Sequence, residues 1–238
     1  MFRKALIKNQ TGGKKFEWRS REVHRIEAFS DAVFAFAVTL LIVSLEVPET
    51  FTELLNTMQG FFAFAFSFAI LFQIWYAQYK YFRLYGLEDL FTIILNGILI
   101  FVVLFYVYPL KFLFRLMFYS GNPGGIHKTI IEQSQAPQLM VIYGIGFLAI
   151  YMIFVLLYWH AYKKRGELKL TGPEIFFTKT ELYNNVIMVI IALTAIAAAL
   201  IVNEKDAGRT GFVYFLIGPA ISVFHTIRGK MSRRMFEN

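Results

Sequence analysis

The sequence predicts an all-α membrane protein with six transmembrane helices, and three observations support this fold class. Of the 238 residues, 57% are hydrophobic and only 17% are charged, whereas soluble domains average about 45–50% apolar and about 25% charged residues. The apolar residues form long runs that match the thickness of a bilayer. The lysines and arginines lie at the ends of these runs, which is typical of membrane topology.

The first predicted span begins at about Ile26 and ends at about Val47, because Pro48 cannot continue a helix and disfavours helix in the residue before it. Residues 1–24 are predicted to be a basic cytoplasmic tail. This apolar run starts late in the chain and is too long for the apolar region of a signal peptide. We therefore expect it to remain as a membrane anchor.

Five further apolar runs predict the remaining spans. Their expected limits are 53–79, 90–109, 137–162, 173–202 and 210–227, with the last span kinked at Gly218 and Pro219. A long connection is expected over 110–136. Its residues 111–119 are apolar with two positive charges and are expected either to lie at the interface or to extend the third span, and a turn cluster follows at 121–125. Residues 25–229 are thus expected to form one six-helix transmembrane domain, and residues 230–238 a basic cytoplasmic tail.

The distribution of basic residues predicts the orientation. With six spans, nineteen of the 24 lysines and arginines lie on the side of the two termini. Positive loops face the cytoplasm, so both termini are expected there, in a multi-pass protein of the plasma or inner membrane. The net charge of +8 is explained by this pattern, and we do not expect a nucleic-acid partner.

Composition excludes several kinds of chemistry. The chain has no cysteine, so it has no disulfide, thiolate metal site or cysteine nucleophile. The four histidines are scattered without the spacing of a metal site, and no catalytic or phosphate-binding spacing is present. We therefore expect neither a metal, nor a cofactor, nor an enzymatic activity.

The start of the first span carries charges at an unusual depth. Residues 25–31 read Arg-Ile-Glu-Ala-Phe-Ser-Asp, and ionisable groups in a membrane normally face protein or water and have partners. We interpret this helix as the wall of an ion pathway. Glu27 and Asp31 are like charges at i and i+4 and repel each other, so Asp31 needs a donor from another helix or subunit. The candidates are Gln73, Trp75, Asn96, Asn184, Asn185 and Arg25 of another copy.

A helical wheel separates this polar motif from an apolar stripe. At about 100° per residue, Leu40 and Val43 lie within about 40° of Phe36, and Thr39 lies about 60° away. Asp31 falls on the far side of the helix. We interpret the motif as an inter-helix clamp that directs the stripe the opposite way; its residues are Arg25, Phe29, Ser30 and Asp31.

A plainer interpretation of these residues stays open. The stripe is also what ordinary helix packing would require. Thr39 has a possible acceptor in a carbonyl of the preceding turn. Arg25 would then be only a positive-inside charge, and Asp31 only a local cap.

The motif resembles the first helix of a potassium-channel family. Arg-x-x-x-Phe-Ser-Asp, an Ala/Val/Phe-rich run, Thr-Leu-Leu and a proline are similar to the FSD-motif family, which comprises the lysosomal potassium channel of animals and its shorter prokaryotic homologues. The resemblance is detailed over residues 25–48 and architectural elsewhere. Because the chain has one Phe-Ser-Asp, it resembles the single-repeat prokaryotic form.

The resemblance implies a homotetramer in the lipid bilayer, with a central pore lined by the first helix. It implies permeation of K⁺ and other monovalent cations with modest selectivity for K⁺ over Na⁺, without the Thr-Val-Gly-Tyr-Gly loop, which this sequence also lacks. The constriction would fall at Phe36, where the family usually has Ile or Leu, with further rings at Thr39, Leu40 and Val43.

The alternative hypothesis is a secondary transporter that uses Asp31 and Glu27 as a proton relay. Such transporters are typically built from internal repeats with pairs of broken helices. This chain shows no internal repeat, and only its last predicted span is broken.

Overall fold

The computed structural model of the chain consists of helices and describes residues 18–20, 22–43, 49–59, 61–118, 132–202 and 204–236. Two 3₁₀ helices, Gln133–Gln135 and Glu204–Leu216, precede longer helices. The α-helices are α1 (Arg25–Val43), α2 (Phe51–Gln59), α3 (Phe61–Tyr85), α4 (Leu90–Phe118), α5 (Ala136–Lys163), α6 (Gly172–Ile201) and α7 (Ile217–Phe236).

The predicted all-α architecture with six long helices is confirmed. Within the described ranges, α1 and α3 to α7 are the long helices, and α2 is a short additional one. Among the described residues, four regions are long and apolar enough to cross a membrane: Leu90–Leu113, Ala136–Lys163, Gly172–Ile201 and Thr210–Met235. The predicted limits of the fourth and fifth spans match α5 and α6 to within one residue.

Two predicted helix ends are wrong, and both involve proline. The third span does not end at Pro109: α4 continues to Phe118, in agreement with the alternative that residues 111–119 extend this span. A proline inside a helix removes one backbone hydrogen bond, and α4 continues past it. The Tyr143 hydroxyl of α5 donates to the Pro109 carbonyl (2.7 Å) and ties this turn of α4 to α5. In the last span, Pro219 lies in the first turn of α7, where its missing N–H costs nothing, and residues 210–216 are 3₁₀ rather than α.

Four other predicted features fall partly or wholly outside the described residues. The second predicted span appears as α2 and α3, with residue 60 outside the described part. The expected end of the first span at Val47, the turn cluster 121–125 and most of the N-terminal tail also lie outside it. Residues 230–236, assigned above to the C-terminal tail, continue α7.

The first helix is packed into the bundle on one side only. α1 contacts α3 and α4, while α4 contacts α5, and α5 lies along α6. The residues of α1 that enter the common core are Phe34, Ala37 and Leu41, all of them buried. Among the side chains that the structure describes, the opposite face of α1 contributes none of the buried residues.

The end of the bundle that carries the start of α1 is held by ion pairs. Arg19 binds the Glu174 carboxylate through both terminal nitrogens (2.8 and 3.1 Å) and donates from Nε to the Leu168 carbonyl (3.0 Å). Lys80 pairs with Glu181 at 2.7 Å. These contacts connect the segment before α1, and α3, to the start of α6.

Asp89 both caps α4 and anchors it to α5. Its carboxylate accepts the Thr92 backbone N–H (2.9 Å), and it lies 2.7 Å from His160 Nε2 and 3.1 Å from Lys164 Nζ. Burial raises the pKa of Asp89, but the bonds from His160, Thr92 and Lys164 outweigh it and hold that pKa well below its usual range. Asp89 is therefore ionised at neutral pH.

Candidate pore-lining face of the first helix

α1 has a buried face with helical spacing. Its members are three or four residues apart, which places them on one side of a helix with 3.6 residues per turn. The polar members are Glu27 and Ser30, and both are buried inside the bundle. The buried members are Glu27, Ser30, Phe34, Ala37 and Leu41.

Ser30 joins three helices through a chain of hydrogen bonds. Its hydroxyl donates to the Ile26 carbonyl (2.8 Å) and accepts from Asn96 Nδ2 of α4 (2.8 Å). Asn96, which is 1% exposed, accepts in turn from Gln78 Nε2 of α3 (2.6 Å). Each of these side chains therefore has a hydrogen-bond partner within the protein and does not depend on water. The chain of hydrogen bonds fixes the rotation of α1 against α3 and α4.

Asp31 is bound by a tryptophan from another helix. Trp75 Nε1 of α3 donates to Asp31 Oδ1 at 2.7 Å. Trp75 is one of the donors considered from the sequence, whereas Asn96 binds Ser30 instead. Asp31 is exposed on the surface of the single chain, so its second oxygen remains available at this edge of α1.

Glu27, the other carboxylate of the motif, is buried beside an arginine. Arg83 Nε lies 3.9 Å from Glu27 Oε2, and Ser20 Oγ donates to Glu27 Oε1 at 3.3 Å. These contacts face the segment before α1 and the end of α3. Glu27 and Asp31 thus have separate partners.

The opposite face of α1 is exposed and mainly apolar. Phe29 and Phe36 are 60% and 56% exposed, Thr39 is exposed and Leu40 is half-buried. Thr39 Oγ1 donates to the Ala35 carbonyl at 3.0 Å, as the plainer interpretation of this residue expects. The side chain of Val43 lies outside the described part of the structure, although its backbone ends α1.

Arg25 lies on the exposed side and not in the clamp network. It is exposed, and the described residues give it no ion pair. On the wheel it falls about 20° from Phe36. Two motif residues, Ser30 and Asp31, therefore bind other helices, while Arg25 and Phe29 are directed away from the core.

A lysine on α4 binds the far end of α1. Lys111 Nζ donates to the Leu41 carbonyl at 3.0 Å. The last carbonyls of a helix lack intrahelical partners and carry partial negative charge, so a cation there completes the helix end. Neither this role of Lys111 nor the role of Gln78 was predicted from the sequence; the available signal was a polar residue within an apolar run.

A groove runs beside the exposed face of α1. It has a volume of about 350 Å³ and lies between α1 and α3. Asp31, Ala35 and Val38 line it from α1, and Phe68, Phe72 and Trp75 from α3. The groove is almost entirely apolar, with the Asp31 carboxylate at one end.

Known proteins share this sequence and fold. The family model described as the endosomal/lysosomal potassium channel TMEM175 matches residues 25–106. A potassium channel of Marivirga tractuosa is 42% identical over 233 residues, which are 94% of each chain. A potassium channel of Chamaesiphon minutus is 32% identical over 148 residues, or 59% of this chain and 66% of the relative.

Two solved structures are similar to this one. A crystal structure of a threonine-to-alanine variant of the potassium channel MtTMEM175, in complex with a nanobody fusion, has a TM-score of 0.80 and 41% identity, covering 92% of this chain and 98% of that one. A lysosomal potassium-selective channel TMEM175 homologue from Chamaesiphon minutus has a TM-score of 0.56 and 27% identity over 86% and 98%. The resemblance inferred from the FSD motif is confirmed, and so is the expectation of a channel fold rather than an enzyme: this multi-pass membrane chain belongs to the TMEM175 potassium-channel family.

Proposed function

We propose that the chain forms a K⁺-permeable channel whose pore is lined by α1. The observation that carries the proposal is the division of α1 into a buried face clamped by Ser30 and an exposed apolar face with Phe36 at its middle. The buried side fixes which way this face points, so its bulky apolar side chains are directed away from the bundle of their own chain. In the proposed assembly, a second copy of the same helix covers this face.

Assembly as a homotetramer around the α1 helices covers both the exposed Phe36 face and the groove beside it. Four copies of the Phe36 face meet at the axis, and the groove between α1 and α3 receives a neighbouring copy. Closed symmetric assemblies are the usual form of homo-oligomers, and the groove of about 350 Å³ is continuous with the exposed face through Ala35. Asp31, at the end of the groove, then lies next to the neighbouring subunit.

Rings of Phe36, Thr39, Leu40 and Val43 form the constriction in this assembly. A narrow apolar ring expels water and blocks ions until it widens. When it widens, the ion that holds its hydration shell more tightly is disfavoured, which favours K⁺ over Na⁺ by a modest factor. Thr39 uses its hydrogen on the Ala35 carbonyl, so its oxygen lone pairs remain to replace part of the lost water.

The motif residues position this constriction. Ser30 and Asp31 hold α1 against α4 and α3 at 2.8 and 2.7 Å, and Phe29 and Arg25 extend the exposed face toward the start of the helix. Both termini lie in the cytoplasm in this arrangement, and the protein resides in the cell membrane. It binds no cofactor, and its permeant ions are K⁺ and, less readily, other monovalent cations.

The transporter alternative has less support. Glu27 binds Ser20 and faces Arg83, while Asp31 binds Trp75, so each carboxylate has its own structural partner. Membership in a channel family also argues against a proton relay between them.

The experiment is a flux assay in liposomes with K⁺ or Na⁺ as the transported ion. Phe36→Ala should raise K⁺ flux severalfold and lower the ratio of K⁺ to Na⁺ flux, because it widens the apolar ring. The matched control is Phe105→Ala on α4, which removes a phenylalanine that is 71% exposed and lines a groove between α4 and α5. Unchanged flux and selectivity in Phe36→Ala would remove this residue from the constriction.

A further inference from the structure

Three cations near the adjoining ends of α5 and α6 have no carboxylate partner among the described residues. They are Lys163, Arg165 and Lys179. Their neighbour Lys164 differs, since it pairs with Asp89 at 3.1 Å and with Glu167 at 3.3 Å. The bundle therefore uses the available carboxylates elsewhere and leaves these three charges uncompensated.

Aromatic rings hold the three cations in place. Lys163 Nζ lies 3.7 Å from the centroid of the Trp159 ring. Tyr162 is flanked by Arg165 Cζ at 4.7 Å and Lys179 Nζ at 5.1 Å from its ring centroid. We call these five residues the basic–aromatic patch.

The rings orient the charges without using up their hydrogen-bond donors. A cation over a ring is attracted by the π-electrons of the ring face, so its N–H groups stay available for an anion. Arg165 donates one of these N–H groups, from Nη1, to the Tyr162 carbonyl at 3.2 Å. The remaining donors of the patch are preorganised for a ligand with several acceptor oxygens.

The depth of the patch identifies the ligand. Lys163 is the last residue of the apolar span Ala136–Lys163, and Lys179 reaches the same level because it lies against Tyr162. Tryptophan and tyrosine collect at the headgroup level of a bilayer, and Trp159 is partly exposed there. A phosphate at this depth belongs to a lipid rather than to a soluble anion.

We propose that the basic–aromatic patch binds the phosphate-bearing headgroup of an anionic phospholipid. Under the proposed orientation this is a lipid of the cytoplasmic leaflet, which supplies the negative surface. A zwitterionic lipid offers the same phosphate but adds a positive group that the three cations repel. The patch therefore prefers phosphatidylglycerol to phosphatidylcholine.

The test is native mass spectrometry of the protein released from vesicles of phosphatidylcholine and phosphatidylglycerol in equal amounts. The variant carries Lys163→Gln, Arg165→Gln and Lys179→Gln. Each basic residue near an anionic surface accounts for about a fivefold change in affinity. Retained phosphatidylglycerol should therefore fall at least about fivefold in this variant, with little change in phosphatidylcholine.

The matched control removes the same charge from another helix end. Three exposed bases near the end of α7 are replaced: Lys230→Gln, Arg233→Gln and Arg234→Gln. These bases lie at the end of the candidate span Thr210–Met235, but among the described residues no aromatic ring orients them, so this variant should lose less phosphatidylglycerol than the patch variant. Equal losses from the two variants, or equal retention of the two lipids by the unmodified protein, would overturn the proposal.

A second measurement does not depend on the charge variant being folded. Tryptophan fluorescence of the unmodified protein is compared in vesicles with brominated phosphatidylglycerol and brominated phosphatidylcholine. Bromine on the anionic lipid should quench more strongly, and Trp159→Phe should remove this excess. Equal quenching by the two brominated lipids would contradict the proposal.

Discussion

Replacing Asn96 tests the clamp that sets the rotation of α1. Asn96 donates to Ser30 Oγ at 2.8 Å and accepts from Gln78 Nε2 at 2.6 Å, and it is fully enclosed by α1, α3 and α4. Asn96→Leu keeps the number of side-chain heavy atoms but removes both interhelical bonds. It leaves Gln78 with a buried donor that has lost its acceptor, while the Ser30 hydroxyl keeps its bond to Ile26.

The expected cost follows from these two bonds. Interhelical side-chain bonds in membrane proteins average about 0.6 kcal/mol and reach about 1.7 kcal/mol. Two such bonds give a loss of about 1–3 kcal/mol in the free energy of unfolding. The double variant Asn96→Leu with Gln78→Leu should lose less than the sum of the single changes, because no unpaired donor remains.

The measurement is reversible unfolding in mixed micelles, with a second asparagine as control. Asn184 lies in α6, and its buried Oδ1 has no hydrogen-bond partner in the part of the chain that the structure describes. Asn184→Leu should therefore leave the stability unchanged or raise it. If Asn96→Leu is as well tolerated as Asn184→Leu, the polar chain does not hold α1.

Three further predictions address other contacts of α1 and α4. Trp75→Phe removes the donor to Asp31 but keeps an aromatic ring, so the free energy of unfolding should fall by about 1 kcal/mol; an unchanged value would mean that this bond is dispensable. Lys111→Met removes the cation at the Leu41 carbonyl and should cost about 0.3–1 kcal/mol in the same assay, whereas Lys111→Arg should retain most of it. The pKa of Asp89 is lowered in the fold, so its bonds stabilise the protein above the ordinary aspartate pKa of about 3.9, and this stabilisation is lost as the pH falls below that value. Asp89→Asn should therefore weaken the fall of the unfolding midpoint at acid pH. An unaltered pH dependence would contradict the assignment.

The helices were predictable where local signals agree. α6 begins within one residue of its predicted start because Pro173 lies in its first turn and Glu174 accepts the Thr171 backbone N–H at 2.9 Å. Pro109 was expected to end α4, but the helix continues through it and is tied to α5 by the bond from the Tyr143 hydroxyl to the Pro109 carbonyl. That partner comes from tertiary structure and leaves no local signal.

The two faces of α1 were also predictable, but their partners were not. A helical wheel separates Ser30 from Phe36, and the structure buries the first and exposes the second. The helical wheel does not show how α3 and α4 are rotated. For that reason Asn96 was considered as a donor to Asp31, although it binds Ser30. A resemblance to a family supplied the pore-lining roles of Phe36 and Thr39, which remain predictions.

Cysteine accessibility at Phe36 tests most directly whether the exposed face of α1 lines the pore. The chain has no cysteine, so Phe36→Cys introduces a single thiol, and Phe34→Cys places a matched thiol on the buried face of the same helix. A cationic methanethiosulfonate reagent should abolish most K⁺ flux through Phe36→Cys, K⁺ should slow the reaction, and Phe34→Cys and the unmodified protein should be unaffected. Full modification of Phe36→Cys with undiminished flux would contradict a pore lined by this face.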